Sequence, residues 1–269
     1  RDVYKRQIES LIMSLAVVSI LLLGSAFAGW VDAVVGGGGL ILIPLVLITN
    51  PAFSNAEALG INKIASICGT TSSAITLGLK VPSAKKALLY SPLSIIAAGL
   101  GALFTSYIDK NLMRIVLIVL LVAVAIFIML RPYFGQESFK NRRRKHAPLW
   151  IALTVILLSL YDGAFGPGTG VFLILTLTSI LQENFLISAA WAKIINVFAN
   201  LGALIVFACN GQLLWSLGIL LAIVNVIGAQ IGARMVLVRG SGFVRIILLL
   251  VVLVLTTKLA FDQFGFFAS

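Results

Sequence analysis

The sequence predicts an all-α polytopic membrane protein made of two inverted repeats, each a glycine-broken helical hairpin followed by three transmembrane helices. Three observations lead there. The 269 residues are 60% hydrophobic and only 11% charged, whereas soluble domains carry about 25% charged residues. That composition cannot furnish the polar shell water demands, and it excludes an ordinary soluble enzyme, a disordered chain and a disulfide scaffold. Apolar runs of a length suited to about 30 Å of hydrocarbon recur along the chain. Finally, Asp32 and Asp162, Gly36 and Gly166, Gly38 and Gly168, and Lys63 and Lys193 are each separated by 130 residues.

The elements follow in order. Residues 1–7, Arg1 to Gln7, do not match the rest of the chain and read as a cloning or assembly scar. The first repeat, 8–130, holds apolar runs at 8–28, 40–49, 57–79, 87–108 and 112–130. A basic linker at 131–148 contains Arg142-Arg143-Arg144-Lys145 and His146, read as solvated. The second repeat, 149–262, holds runs at 149–165, 171–181, 185–209, 213–233 and 243–261, and 263–269 form a tail. Runs 40–49 and 171–181 are too short to span, and each follows a glycine-rich break: Gly36-Gly37-Gly38-Gly39 and Gly166-Pro167-Gly168-Thr169-Gly170. Paired interruptions of this kind point to a transporter's binding site. The Met113-Arg114-Ile115 and Val244-Arg245-Ile246 segments align at an offset of 131, and one inserted residue accounts for the change from 130.

Charge supplies orientation. The net charge of +11 is not a nucleic-acid signal, because most basic residues sit in short gaps between apolar runs, where topology signals belong. The linker is placed in the cytoplasm by its six basic residues from Arg131 to Lys145. If each broken pair is a hairpin returning to its starting side, the loops with Lys80, Lys85 and Lys86 and with Arg234, Arg239 and Arg245 also fall inside. Both termini then lie outside and the two repeats are inverted. Cys68 and Cys209 lie within apolar runs and read as inert buried thiols.

The residues that could carry chemistry cluster at the breaks. Glycines permit φ > 0 and close ligand approach, and a half-helix starting at a break offers unpaired N–H groups and partial positive charge. Gly36, Gly37, Gly38, Gly39, Gly166, Gly168, Thr169 and Gly170 are therefore candidate anion-binding positions, close helix packing being the plainer alternative. Lys63 and Lys193 lie roughly 9–13 Å into their helices. They could hold an anionic substrate, snorkel to an interface, or pair with Asp32 or Asp162. The two aspartates could organise the broken loops or carry a coupling proton. Asn62, Asn196, Asn200, Thr70 and Thr71 add neutral polar groups, while Ser54-x-x-Glu57 reads as a helix cap. No HExxH, P-loop, GxSxG or metal-ligand cluster occurs, so the expectation is a non-enzyme without metal or cofactor. A passive anion channel and a non-transporting scaffold or receptor subunit are the competing classes.

Gly29-Trp30-Val31-Asp32-Ala33-Val34-Val35-Gly36-Gly37-Gly38-Gly39, with Pro44 and Asn62-Lys63 following, resembles the first-repeat signature of the sulfite exporter TauE/SafE family. Tyr161-Asp162-Gly163-Ala164-Phe165-Gly166-Pro167-Gly168-Thr169-Gly170, followed by Lys193 and Asn196, resembles its second-repeat signature, with Ala164 in place of a frequent aromatic residue. The resemblance covers essentially everything after residue 8. It implies a multi-pass permease of the bacterial inner membrane that moves small anions such as sulfite, sulfoacetate or thiosulfate, usually outward and coupled to protons. The partners expected are such an inorganic or organosulfur anion, the lipid bilayer and protons, with homo-oligomerisation left open.

Overall fold

The computed structural model describes residues 15–107 and 146–264, together with Ile126 and Gly135. The N-terminal segment 1–7, the last span of the first repeat, nearly all of the linker and the end of the tail lie outside the described residues. Among those described, every element is helical, and five helices are long and apolar enough to cross a membrane.

Helix α1 (Leu15–Val35) is almost wholly apolar. It stops where Gly36 takes φ +81°, with the Gly36 N–H donating to the Asp32 carbonyl at 2.7 Å. Helix α2 (Gly39–Thr49) starts directly after the break. Of the four consecutive glycines only Gly36 is left-handed; Gly38 is already right-handed at φ −57° and opens α2. Helix α3 (Asn55–Lys80) begins on a capping box, in which Ser54 Oγ accepts from the Glu57 N–H (3.2 Å) and Glu57 Oε2 accepts from the Ser54 N–H (2.8 Å). Such a cap stabilises a helix by about 1 kcal/mol. The run read from sequence at 87–108 divides into a 3-10 segment (Pro82–Tyr90), helix α4 (Ser91–Phe104) and a 3-10 turn (Thr105–Tyr107).

The second half reproduces this order. Helix α5 (Ala147–Ala164) ends at a break with two left-handed glycines, Gly166 at φ +83° and Gly168 at φ +82°. Helix α6 (Thr169–Leu181) runs back beside α5. Helix α7 (Phe185–Cys209) is capped by Asn184, whose Oδ1 accepts from the Ile187 N–H at 3.0 Å, 130 residues after the Ser54 cap. The last two expected spans are one helical run, α8 (Trp215–Phe264), broken at Gly240, where φ 70° and ψ −162° are non-helical.

The two halves interlock. The first arm of α8, from the second half, packs on α1 and α3, while α4, from the first half, packs on α5 and α7. Glycines permit the close crossings: a methyl at Gly163 would fall on the Ala98 carbonyl, and one at Gly228 on the Ala26 carbonyl. Polar bridges fix the same crossings. Ser94 Oγ meets Ser159 Oγ at 2.8 Å and donates to the Ile195 carbonyl at 2.9 Å, and Asn225 Nδ2 donates to the Ser25 carbonyl at 2.9 Å.

Large apolar side chains such as Leu23, Phe27, Leu157 and Ile223 are exposed, the arrangement expected of a surface solvated by lipid. The cysteines correct the sequence reading: Cys68 and Cys209 are both exposed on the helix surface, not buried. An apolar run is buried only on the face that meets other helices, and both thiols lie on the other face.

Two ends of the bundle are defined by contacts. Lys86, Ala147, Leu181 and Glu183 line one cavity of about 470 Å³. The start of α5, the end of α6 and the 3-10 segment after α3 therefore share an end. At the other end Phe53 packs against the cluster containing Leu213, and Gly60 abuts the Gln212 backbone.

Candidate functional site

The site forms where the two breaks meet. A methyl placed on Gly36 would lie 2.5 Å from the Gly170 carbonyl carbon, and one on Gly170 would lie 2.5 Å from the Gly36 oxygen. Backbone therefore touches backbone between the end of α1 and the first turn of α6. Gly39 faces the Asn62 carboxamide, whose Nδ2 would be 3.3 Å from an added Cβ, while Gly38 rests on α1 beside the Asp32 Cβ. Gly37 faces the apolar side chains of Val31, Leu40 and Val251 instead. In the second break Thr169 Oγ1 donates to the Gly166 carbonyl (3.0 Å), and the Tyr161 hydroxyl donates to the Pro167 carbonyl (2.8 Å). Gly168 packs against Phe172 and Leu40.

All four predicted charges lie inside the bundle. Lys63 and Lys193 are each 1% exposed, so neither snorkels to an interface. The pairing is crossed between the halves. The Lys63 ammonium donates to Asp162 Oδ2 at 2.5 Å and to Asn200 Oδ1 at 3.1 Å. The Lys193 ammonium donates to Asp32 Oδ2 at 3.0 Å and also to the Asp32 carbonyl. This is the ion-pair arrangement among the alternatives left open by the sequence, and it directs both carboxylates at lysines. Helix α3 places Lys63 one turn from Ser66 and two from Thr70, on its buried face. That row of polar residues explains why α3, although 26 residues long, is not among the five helices apolar enough to cross a membrane.

Neutral polar groups complete the cluster. Asn62 Oδ1 accepts from Ser66 Oγ at 3.3 Å. Asn200 Nδ2 donates to Thr70 Oγ1 at 3.4 Å, joining two residues 130 positions apart. Asn196 is 6% exposed, and its Oδ1 is buried without a hydrogen-bond partner among the described residues. Thr71 lies outside this cluster, on a groove between α3 and α7. Sequence reasoning missed Tyr161 and Asn225. Tyr161 locks the second break through Pro167, and the aromatic-Asp-Gly order before that break is the only signal that could have flagged it. Asn225 is a lone amide in an apolar run, a pattern that by itself separates no site residue from a helix-joining one.

Chemically, the cluster offers two ammoniums, two carboxylates, amide groups and the first-turn N–H groups of α2 and α6. A lysine ammonium has three N–H donors. The bonds above use two on each lysine, which leaves one apiece for a ligand.

Comparison with known proteins identifies the family. The profile described as Sulfite exporter TauE/SafE matches residues 21–259. The chain is 31% identical over 258 residues to the "Probable membrane transporter protein YfcA" of Escherichia coli strain K12, covering 94% of each chain. It is 31% identical over 247 residues to the "Probable membrane transporter protein ORF9" of a Sinorhizobium species, covering 91% of this chain and 93% of that one. A "Probable membrane transporter protein" of Haemophilus influenzae is 31% identical over 248 residues, covering 91% of this chain and 95% of that one. No solved structure matches. With the profile spanning both breaks and both lysine helices, the chain is a membrane transporter that belongs to the sulfite exporter TauE/SafE family.

Proposed function

We propose that this transporter is a secondary carrier, working as an exporter, for a small sulfur-containing anion such as sulfite, sulfoacetate or thiosulfate. The anion binds between the two glycine breaks and reaches either side by alternating access. The observation that carries this reading is the pair of buried lysines brought together with both breaks, each with one ammonium donor to spare. Gly36, Gly38, Gly39, Gly166, Gly168, Thr169 and Gly170 supply or shape the half-helix starts, and Asn62 and Asn196 supply amide contacts. Asp32 and Asp162 hold the lysines and serve as the coupling carboxylates.

The two halves are read as inverted repeats. The crossed lysine–aspartate pairs and the contact of Thr70 with Asn200 support a two-fold relation, since repeat-related residues meet near an axis that exchanges the halves. The return of α5–α6 to the end carrying Lys86, opposite the end from which α1–α2 leads into α3, supports the inversion. The Gly36–Gly170 contact is then an occluded arrangement, and rocking one repeat against the other parts it. A reporter fused after Phe267 should read extracytoplasmic, whereas a cytoplasmic signal there would overturn the inverted arrangement.

Flux measurements test the function. Proteoliposomes carrying the purified protein should take up sulfite or a related anion with saturation, at a rate that responds to an imposed pH difference. Large unitary currents without saturation would make the protein a channel. An absence of flux for every small oxyanion and sulfonate offered would remove the proposal.

A further inference from the structure

Beyond the central site, α3 and α7 leave a lateral groove of about 330 Å³. Its walls are Ala74, Ile75, Gly78 and Leu79 from α3 and Ile194 and Phe198 from α7, with Lys85 at one end. The two helices belong to different halves and carry Lys63 and Lys193. They do not close on each other here: a methyl on Gly78 would find only Ile194 Cδ1, at 3.9 Å. Residues 71 to 79 span about 12 Å of helix, so the groove rises from the Lys85 end toward the level of the buried cluster.

We infer that this groove binds an anionic phospholipid, with one acyl chain against α3 and α7 and the phosphate at Lys85. Three features select this occupant. The groove is open sideways and almost purely apolar, and it belongs to a membrane transporter, so lipid is its solvent. Lys85 is exposed at its end, beside the exposed Lys80 and Lys86, which matches a negative headgroup. The apolar part runs from that charge toward mid-depth, the direction an acyl chain takes from its own headgroup. Assignment to the cytoplasmic leaflet rests on the orientation proposed above, but binding itself does not. A lipid seated there bridges the two halves, so occupancy tunes the movement between them.

Lipid binding to the detergent-purified, delipidated protein tests this by thermal shift and native mass spectrometry. Phosphatidylglycerol is expected to bind about fivefold more tightly than phosphatidylcholine of the same chains, the effect of about one lysine near the phosphate. Lys85→Glu should abolish that preference while keeping chain-dependent binding. Gly78→Leu, which fills the groove, should weaken both lipids alike. Soluble glycerol 3-phosphate should give no shift. Equal binding of the two lipids by the unmodified protein, an undiminished preference in Lys85→Glu, or a glycerol 3-phosphate shift equal to that of the lipid would each overturn the inference. Because the assay is in detergent, an unexpected reading from the Phe267 reporter would change the leaflet assigned and leave the binding result standing.

Discussion

Replacing Lys63 alone by methionine is expected to destabilise the detergent-purified protein by about 3–5 kcal/mol. The substitution leaves the Asp162 carboxylate, 3% exposed on its side chain, without its cation. It also removes the donor that Asn200 Oδ1 accepts from at 3.1 Å. Uncompensated buried charge is the dominant cost, because the desolvation of the carboxylate is no longer offset. Pairing Lys63→Met with Asp162→Leu removes both charges and should recover most of the loss, since an apolar pair of similar volume is often neutral or better. The same single change at Lys193 should cost less. Asp32 is 10% exposed on its side chain, and the bond to it is 3.0 Å long. Thermal unfolding of the three variants beside the parent checks this order. A single Lys63→Met variant as stable as the parent would mean that the ion pair contributes nothing to the fold. Transport separates the structural role from the functional one. The double variant should fold yet lose anion flux, because the spare ammonium donor is gone with the lysine. Retained flux in a folded double variant would remove Lys63 from the proposed mechanism.

That ordering also shows what the sequence could and could not convey. The offset of 130 residues exposed Asp32, Lys63, Asp162 and Lys193 as a repeated set, and the interruptions around Gly36 and Gly166 marked the breaks. The Ser54–Glu57 cap was equally legible, because a capping box is a local pattern with a local geometry. The partner of each lysine was not legible. Lys63 is closer in sequence to Asp32, but it pairs with Asp162 at the end of α5, in the other half. Chain spacing describes positions along one helix, whereas interlocking of two repeats is decided by packing between helices far apart in sequence. The cysteines show the same limit. An apolar run says that a helix enters the membrane, and says nothing of which face meets lipid rather than protein. Gly240 is a third case. A single glycine in a long apolar pattern is ambiguous between a packing position and a break, and here it takes φ 70°.

The other large effect is steric. Alanine at Gly36 or at Gly170 should destabilise the protein by about 3 kcal/mol or more, at or beyond the upper end of the usual range for single substitutions. At Gly36 two costs combine. A side chain is strained at φ +81°, and its Cβ would lie 2.5 Å from the Gly170 carbonyl carbon. At Gly170 the cost is contact alone. Its Cβ would lie 2.5 Å from the Gly36 oxygen, and backbone, unlike a flexible side chain, cannot swing aside. Gly37 is the internal control, since its nearest neighbour is a Val251 methyl at 3.4 Å and its φ is not in the left-handed region. Alanine there should change thermal stability little, although it sits in the same glycine run. The comparison separates two explanations for glycine at these breaks. If tolerance for left-handed backbone were the whole reason, Gly36→Ala would be severe and Gly170→Ala mild. If the close approach of the two breaks governs, both are severe and Gly37→Ala alone is mild. The contact predicts the second pattern. A stable, monodisperse Gly170→Ala variant would show that the breaks do not meet in the protein's resting state.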